Sequence, residues 1–288
     1  MTHLADSIHR AHQARGKKRP VIVPFITAGY PSRGSLVPLL SALAPHAAAI
    51  EIGVPFSDPM ADGVTIQKSS RVAIARGATL SWLLDELAGV SASTRAGWPP
   101  LVLMGYLNPF LSMGFALVAE RCERAGVSGL IIPDLPLEDC AAVRTALKAR
   151  GVGLVQLVSP VTAPDRLAKC CAASDGFIYV VATTGVTGGA ATGSAASAPT
   201  ARSDAEFTAY LARVKAAAGS TPVCVGFGIS TAAHVSALGT QCEGAIVGSA
   251  VIRVIDAAFS GMAEPTATEI QHLADAAGTF VASLHAGG

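Results

Sequence analysis

Eight short apolar runs, each followed within a few residues by Gly or Pro, alternate along the chain with longer segments of helical spacing. The runs are Val21–Ile26, Ala48–Ile52, Leu101–Met104, Gly129–Ile132, Leu154–Val158, Phe177–Val181, Val223–Val225 and Ala245–Val247. They are rich in β-branched residues and show no apolar/polar alternation, which is how strands covered on both faces read. Between them, Leu36/Leu39/Leu40/Leu43, Phe115/Val118/Ala119/Cys122, Ala142/Ala146/Leu147 and Leu211/Val214 carry the spacing of one helix face. Ser32 and Ser230 are the expected caps of two of these helices, and a further helix is expected at residues 3–15. Strand followed by helix, repeated eight times, predicts a parallel α/β architecture, and the chain length suits a (β/α)8 (TIM) barrel in one domain, 1–288. A doubly wound open sheet would carry a glycine-rich turn after its first strand; Thr27-Ala28-Gly29-Tyr30-Pro31 is not one.

Composition narrows the function classes. Hydrophobic residues make up 51% and charged residues 14%, so a large core is available and extended disorder is excluded. A net charge of +1 gives no field to gather nucleic acid or anionic lipid, and Lys17-Lys18-Arg19 reads as a solvated linker. Two uncharged stretches, Ala96–Ala119 and Gly176–Ala201, are long enough to span a bilayer. Pro99-Pro100 and Asn108-Pro109 break the first, and the second dissolves into Thr, Gly and Ser. No apolar leader precedes the first helix, and the cysteines at 122, 140, 170, 171, 224 and 242 form no paired framework. A cytoplasmic protein is expected. Thr184–Ser203 is small and polar and follows the sixth strand, where barrel loops line the active-site face, so a flexible lid is expected there, with plain surface disorder as the alternative.

The sharpest cluster is Ile50-Glu51-Ile52-Gly53-Val54-Pro55-Phe56-Ser57-Asp58-Pro59-Met60-Ala61-Asp62-Gly63. In a barrel Ile50 and Ile52 face the helices, so Glu51 points inward, where desolvation raises its pKa and suits it to proton transfer. Asp62 follows on a turn stiffened by Pro55, Pro59 and Gly63, and Asp58 reads as an orienting or capping residue. A buried Glu51–Arg pair is the bland alternative. Gly226-Phe227-Gly228-Ile229-Ser230 and Gly248-Ser249, after strands seven and eight, sit where barrels bind phosphate with backbone N–H groups and a helix N-terminus. Gly185-Val186-Thr187-Gly188 lies nearby in that reading. His9 and His12 share a helix face without a third ligand, so no metal site is expected. Lys68, Lys148, Lys169 and Lys215 all fall in helical segments, which leaves no lysine at a strand end for imine chemistry.

The segment IEIGVPFSDPMADG resembles the signature of the tryptophan synthase α-subunit family. Val23–Pro31, Pro133-Asp134-Leu135-Pro136, Tyr179–Gly188 and the two late glycine loops resemble further family segments, over roughly residues 3 to 283. The resemblance implies a lyase of L-tryptophan biosynthesis that cleaves indole-3-glycerol phosphate to indole and glyceraldehyde 3-phosphate. It implies that Glu51 is the acid–base group, that Asp62 accepts the indole N–H and that Tyr179 positions Glu51. Phe25, Met104, Tyr106 and Ile131 would form the indole slot, Gly188, Gly228, Gly248 and Ser249 would bind phosphate, and Thr187 would reach Asp62 on lid closure. It implies an α2β2 heterotetramer whose β subunit carries pyridoxal phosphate, leaving no cofactor on this chain. Asp58, Pro59, Asp134 and Pro136 would lie in the contact surface. The chain departs from the family pattern at Ala182, where a serine is expected, and in the length of the small-residue stretch after Gly188. A stand-alone indole-3-glycerol-phosphate lyase and a non-catalytic partner of the β subunit remain alternatives. So do two other phosphate-binding barrels of the pathway: the indole-glycerol-phosphate synthase, whose strand-end lysine is missing here, and the phosphoribosylanthranilate isomerase, which leaves IEIGVPFSDPMADG unexplained.

Overall fold

A computed structural model describes residues 3–60, 62–181, 204–226, 228–259, 261 and 264–285. The expected lid Thr184–Ser203, with Thr187 and Gly188, lies outside these residues, as does Ala182. Eight strands form one closed barrel in chain order: β1 (Val21–Thr27), β2 (Ile50–Gly53), β3 (Leu101–Met104), β4 (Val127–Ile131), β5 (Gly153–Val158), β6 (Ile178–Val181), β7 (Val223–Gly226) and β8 (Gly244–Val247). Neighbours pair in parallel, and β8 closes on β1 with Val21 opposite Gly244. The helices are α1 (His3–Ala14), α2 (Leu36–Leu43), α3 (Val64–Ala75), α4 (Leu80–Gly89), α5 (Ala92–Ala96), α6 (Leu107–Met113), α7 (Phe115–Ala125), α8 (Cys140–Lys148), α9 (Pro164–Ala173), α10 (Asp204–Ala218), α11 (Ala232–Leu238), α12 (Ser249–Ala258) and α13 (Ala267–Ser283). This is the expected TIM barrel with an added N-terminal helix. None of the described helices is long and apolar enough to cross a membrane.

Each strand is apolar on both faces because each face meets a different partner. Ile22, Ile26, Ile50, Ile52, Leu101 and Leu103 point outward into the shell formed with Leu36, Leu39, Leu40 and Leu43 of α2. Val21, Val23, Val102, Ile131, Val155, Phe177 and Ile246 point inward and fill the barrel. The two alternating sets leave no solvent-facing register, so a slip by one residue would drive every side chain into the wrong layer.

The lower end of the barrel is stopped by α1. Leu4 is fully buried with Ile8 in the interior cluster. A Cβ at Gly176 would lie 2.7 Å from Leu4 Cδ2 and one at Gly129 would lie 3.2 Å from it, so the absence of those side chains makes the seat for Leu4. Leu4→Ala should destabilise the protein by about 2–5 kcal/mol, since the rigid barrel wall cannot collapse into the void. Urea unfolding checks this, and a change below about 1 kcal/mol would mean that α1 does not seal the barrel.

Three local expectations need correction. The cap of α11 is Thr231, whose hydroxyl accepts the His234 N–H, while Ser230 stands one residue outside. Ser32 precedes a short 3-10 turn and makes no side-chain capping bond. In α8 the buried face is Cys140, Val143 and Leu147, and Ala142 is exposed, because alanine spacing does not distinguish faces when a larger apolar residue is adjacent. Strand limits differ from the apolar runs by up to two residues, as at β2, which begins at Ile50 rather than Ala48. The His9 ring lies 2.8 Å from the Ser220 carbonyl, and His12 is buried.

Candidate active site

A cavity of about 260 Å³ opens at the C-terminal ends of the strands. Phe25, Glu51, Met104, Tyr179 and Ile246 line it from the strands, Asp62 and Gly63 from the β2–α3 connection, and Ile66 from the first turn of α3. Gly228, Ile229 and Ser230 come from the loop after β7, and Gly248, Ser249, Ala250 and Arg253 from the start of α12.

Glu51 is where the alternation in β2 puts it, inside the barrel between Phe25 on β1 and Val102 on β3. It is 1% exposed, and its Oε2 has no hydrogen-bond partner among the described residues. The bland alternative of a buried arginine pair is therefore not what holds it. Burial, followed by the charge of nearby Asp62, pushes its pKa up to about 8. An acid so placed keeps its proton at neutral pH.

Asp62 stands on the turn before α3. The Gln67 side-chain amide pins that turn, donating to the Asp62 carbonyl at 2.9 Å and to the Pro59 carbonyl at 3.3 Å. Burial raises the Asp62 pKa to about 6, and a hydrogen bond from the Tyr106 hydroxyl opposes that rise. Two carboxyl groups in one cavity thus hold different protonation states near pH 7, the arrangement that lets one donate a proton while the other accepts a hydrogen bond. Neither Asp62 nor Asp58 caps α3. The cap is Gly63, without a side-chain bond, and Asp58 is exposed and accepts from the Ser57 hydroxyl at 2.5 Å.

Tyr179 is buried on the same cavity wall, its hydroxyl pKa driven well above the usual range by burial first and then by the Glu51 and Asp62 charges. A Cβ at Gly226 would fall 2.5 Å from that hydroxyl, so glycine at the end of β7 is what gives Tyr179 its place. Phe25 and Met104 contribute to the wall. Tyr106 is buried, stacks on Phe56 with ring centroids 5.0 Å apart and bonds to Asp62. Ile131 is fully buried in the interior cluster with Tyr179 and Met104 and is not part of the cavity wall.

At the other end of the cavity, α12 begins at Ser249 with Gly248 as its cap and no side chain satisfying the first N–H groups. Gly228 has φ +78°, a backbone state that side-chain-bearing residues rarely adopt. Free backbone donors at a helix start, on the same cavity wall as a glycine loop, are chemistry that suits an anionic group.

The sequence profile described as Tryptophan synthase alpha chain matches residues 11–282. The chain belongs to that family. The tryptophan synthase alpha chain of Nitratidesulfovibrio vulgaris (strain DP4) is 42% identical over 252 residues, covering 86% of this chain and 91% of the relative. The crystal structure of tryptophan synthase subunit alpha from Legionella pneumophila str. Paris superposes with a TM-score of 0.80 at 28% identity, covering 99% of this chain and 97% of that one. A structure of the tryptophan synthase α2β2 complex from Pyrococcus furiosus contains a chain that superposes with a TM-score of 0.76 at 29% identity, over 93% of this chain and 98% of that one.

The turn before α3 and the first residue of α3 carry exposed apolar side chains. Met60 is 88% exposed and Val64 78% exposed, close in sequence to Asp58 and Pro59. Asp134 and Pro136 are also exposed, and the Asp134 carboxylate accepts the Leu107 N–H at 2.8 Å, capping α6. Sequence reasoning missed four residues of the cavity wall: Ile66, Ile246, Ala250 and Arg253. Alternation along β8, continued back from Gly248, would have found Ile246. Arg253 needed the start of α12, which Gly248-Ser249 marks only once the barrel is assumed.

Proposed function

We propose that this chain is the α subunit of a tryptophan synthase and cleaves indole-3-glycerol phosphate by a retro-aldol reaction to indole and glyceraldehyde 3-phosphate. The observation that carries the reading is Glu51: a buried carboxyl with an unpartnered oxygen and a pKa near 8, facing a cavity that also holds Asp62 and an uncapped helix start.

The chemistry follows from the protonation states. Neutral Glu51 gives its proton to indole C3, and positive charge spreads onto the indole nitrogen. Ionised Asp62 accepts the N–H hydrogen bond and stabilises that charge. Glu51, now a carboxylate, takes the proton from the glycerol hydroxyl on the carbon attached to C3. The electron pair of that O–H bond forms the aldehyde, the C3–carbon bond breaks, and its electrons restore the indole ring. Glu51 ends protonated, as it began. Tyr179 packs beside Glu51 and fixes its position. Phe25 and Met104 hold the indole, Ile131 supports them from below, and Tyr106 orients Asp62. The backbone N–H groups of Gly228, Gly248 and Ser249 hold the phosphate, with Gly188 as a fourth donor and Thr187 reaching Asp62 from the lid.

The partner is a β subunit that carries pyridoxal phosphate, in an α2β2 assembly in the cytoplasm. This chain needs no cofactor, because two carboxyls in different protonation states supply the acid and the hydrogen-bond acceptor. Asp58, Pro59, Asp134 and Pro136 border the docking surface, and the whole chain acts as one domain.

The test is to follow glyceraldehyde 3-phosphate release from indole-3-glycerol phosphate by the purified chain, alone and with a β subunit added. A slow rate that rises at least about tenfold on addition is expected, the coupling of a partner-gated site. A fast rate indifferent to the partner would mean a stand-alone lyase, and no cleavage in either case would refute the reading.

A further inference from the structure

We propose that Arg253 is a side-chain anchor for the substrate phosphate, working with the backbone donors of α12; this rests on reading the cavity as an indole-3-glycerol phosphate site. Arg253 lies one turn beyond Ser249 on α12 and lines the same cavity as Gly228, Ser230, Gly248 and Ser249. Helix side chains lean toward the N-terminus, and residues four apart share a face, so the long arginine stem runs back along α12 toward Ser249.

The surroundings of Arg253 leave its charge uncommitted. Asp256 is the one acid in α12, a turn further on, where it could have paired with the arginine. It is engaged instead from outside the helix: the Tyr30 hydroxyl donates to one carboxylate oxygen, and Lys68 Nζ lies 3.3 Å from the other. Arg76, Arg121, Arg144, Arg150 and Arg166 each pair with a carboxylate. Arg253 pairs with none among the described residues. A guanidinium that lines the mouth of a cavity without a counter-charge is placed to meet an anionic ligand.

Magnitudes favour a role for it. A helix N-terminus offers about half a positive charge, while a phosphate monoester carries between one and two negative charges near pH 7. Backbone donors alone leave most of that charge unbalanced. A guanidinium supplies a full charge and a planar pair of donors that match two phosphate oxygens. The geometry also orients the substrate. Phe25 separates the two ends of the site: its register partner is Glu51 on one side, and Gly248 approaches it on the other, where an added Cβ would lie 3.6 Å from it. A phosphate held at Arg253 and α12 therefore directs the indole past Phe25 toward Glu51 and Asp62.

The test compares wild type, Arg253→Lys and Arg253→Met, with thermal unfolding to confirm that each is folded. Three quantities are measured: KM and kcat for indole-3-glycerol phosphate, inhibition constants for glycerol 3-phosphate and for indole, and the dependence of KM on ionic strength. In Arg253→Met, KM and the glycerol 3-phosphate constant should rise on the order of tenfold to a hundredfold, with Arg253→Lys between. The indole constant should stay within about twofold, the loss should fall on KM more than kcat, and KM should become less sensitive to salt. An unchanged glycerol 3-phosphate constant, or equal weakening of glycerol 3-phosphate and indole, would overturn the assignment. If the wild type neither cleaves the substrate nor binds glycerol 3-phosphate, the reading of the cavity itself fails, and the arginine assignment with it.

Discussion

Glu51→Gln should lower kcat for indole-3-glycerol phosphate cleavage by about a thousandfold or more, because in the proposed mechanism one side chain performs both proton transfers. Glutamine keeps the shape of the side chain and removes only its exchangeable acid. Affinity for glycerol 3-phosphate and activation of the β subunit should survive, which separates loss of chemistry from loss of structure. Stability supplies an independent readout. Folded Glu51 holds its proton to about pH 8, whereas its usual pKa is 4.5. Between those values the unfolded chain binds fewer protons than the folded one, so wild-type stability falls as pH rises through this window. Glutamine does not titrate. The melting temperature of Glu51→Gln relative to wild type should therefore climb from pH 5 to pH 8, and a pH-independent difference would show that the carboxyl is not held neutral by the fold. Equal cleavage rates in variant and wild type would remove Glu51 from the mechanism.

Asp62→Asn should cost about a hundredfold in kcat/KM, since the developing charge on the indole nitrogen loses its carboxylate. The pH profile makes the prediction sharper. In the wild type the active form has Asp62 ionised, above about pH 6, and Glu51 protonated, below about pH 8. A bell with limbs near those values is expected in kcat/KM. Asparagine removes the acidic limb. It also removes a negative charge that helps hold the Glu51 proton, so the alkaline limb moves to lower pH. An unchanged alkaline limb would mean that the two carboxyls do not sense each other.

The parts of the molecule legible in the sequence are those governed by period and by backbone chemistry. Ile50 and Ile52 flanking Glu51 placed the acid inside the barrel because side-chain direction in a strand has a period of two. Gly248-Ser249 marked a helix start once the barrel was assumed, because barrels bring a helix N-terminus to that place after the eighth strand. What could not be read was set by contacts across the barrel. Tyr106 and Ile131 share a neighbourhood in sequence logic, yet one bonds to Asp62 while the other lies beneath the cavity floor. The freedom of Arg253 depends on Tyr30 and Lys68 occupying Asp256, residues separated by more than 180 positions. No local pattern carries that information. Alanine-rich α8 was misread for a different reason: small apolar residues tolerate both faces, so Ala142 marked nothing while Val143 marked the core.

The stopper formed by α1 gives the barrel a single door. With Leu4 seated against Gly129 and Gly176, the interior below Glu51 is filled by side chains such as Val21, Val23, Val102, Val155 and Phe177, which cannot relay a proton. An enzyme whose acid had to be recharged from bulk water would need such a relay. In the proposed mechanism the substrate hydroxyl returns the proton that indole C3 removes, so each turnover leaves the acid loaded for the next. Self-recharging chemistry is compatible with a dead-end chamber, and the apolar floor then protects the reactive intermediate from stray water at no cost to the proton cycle.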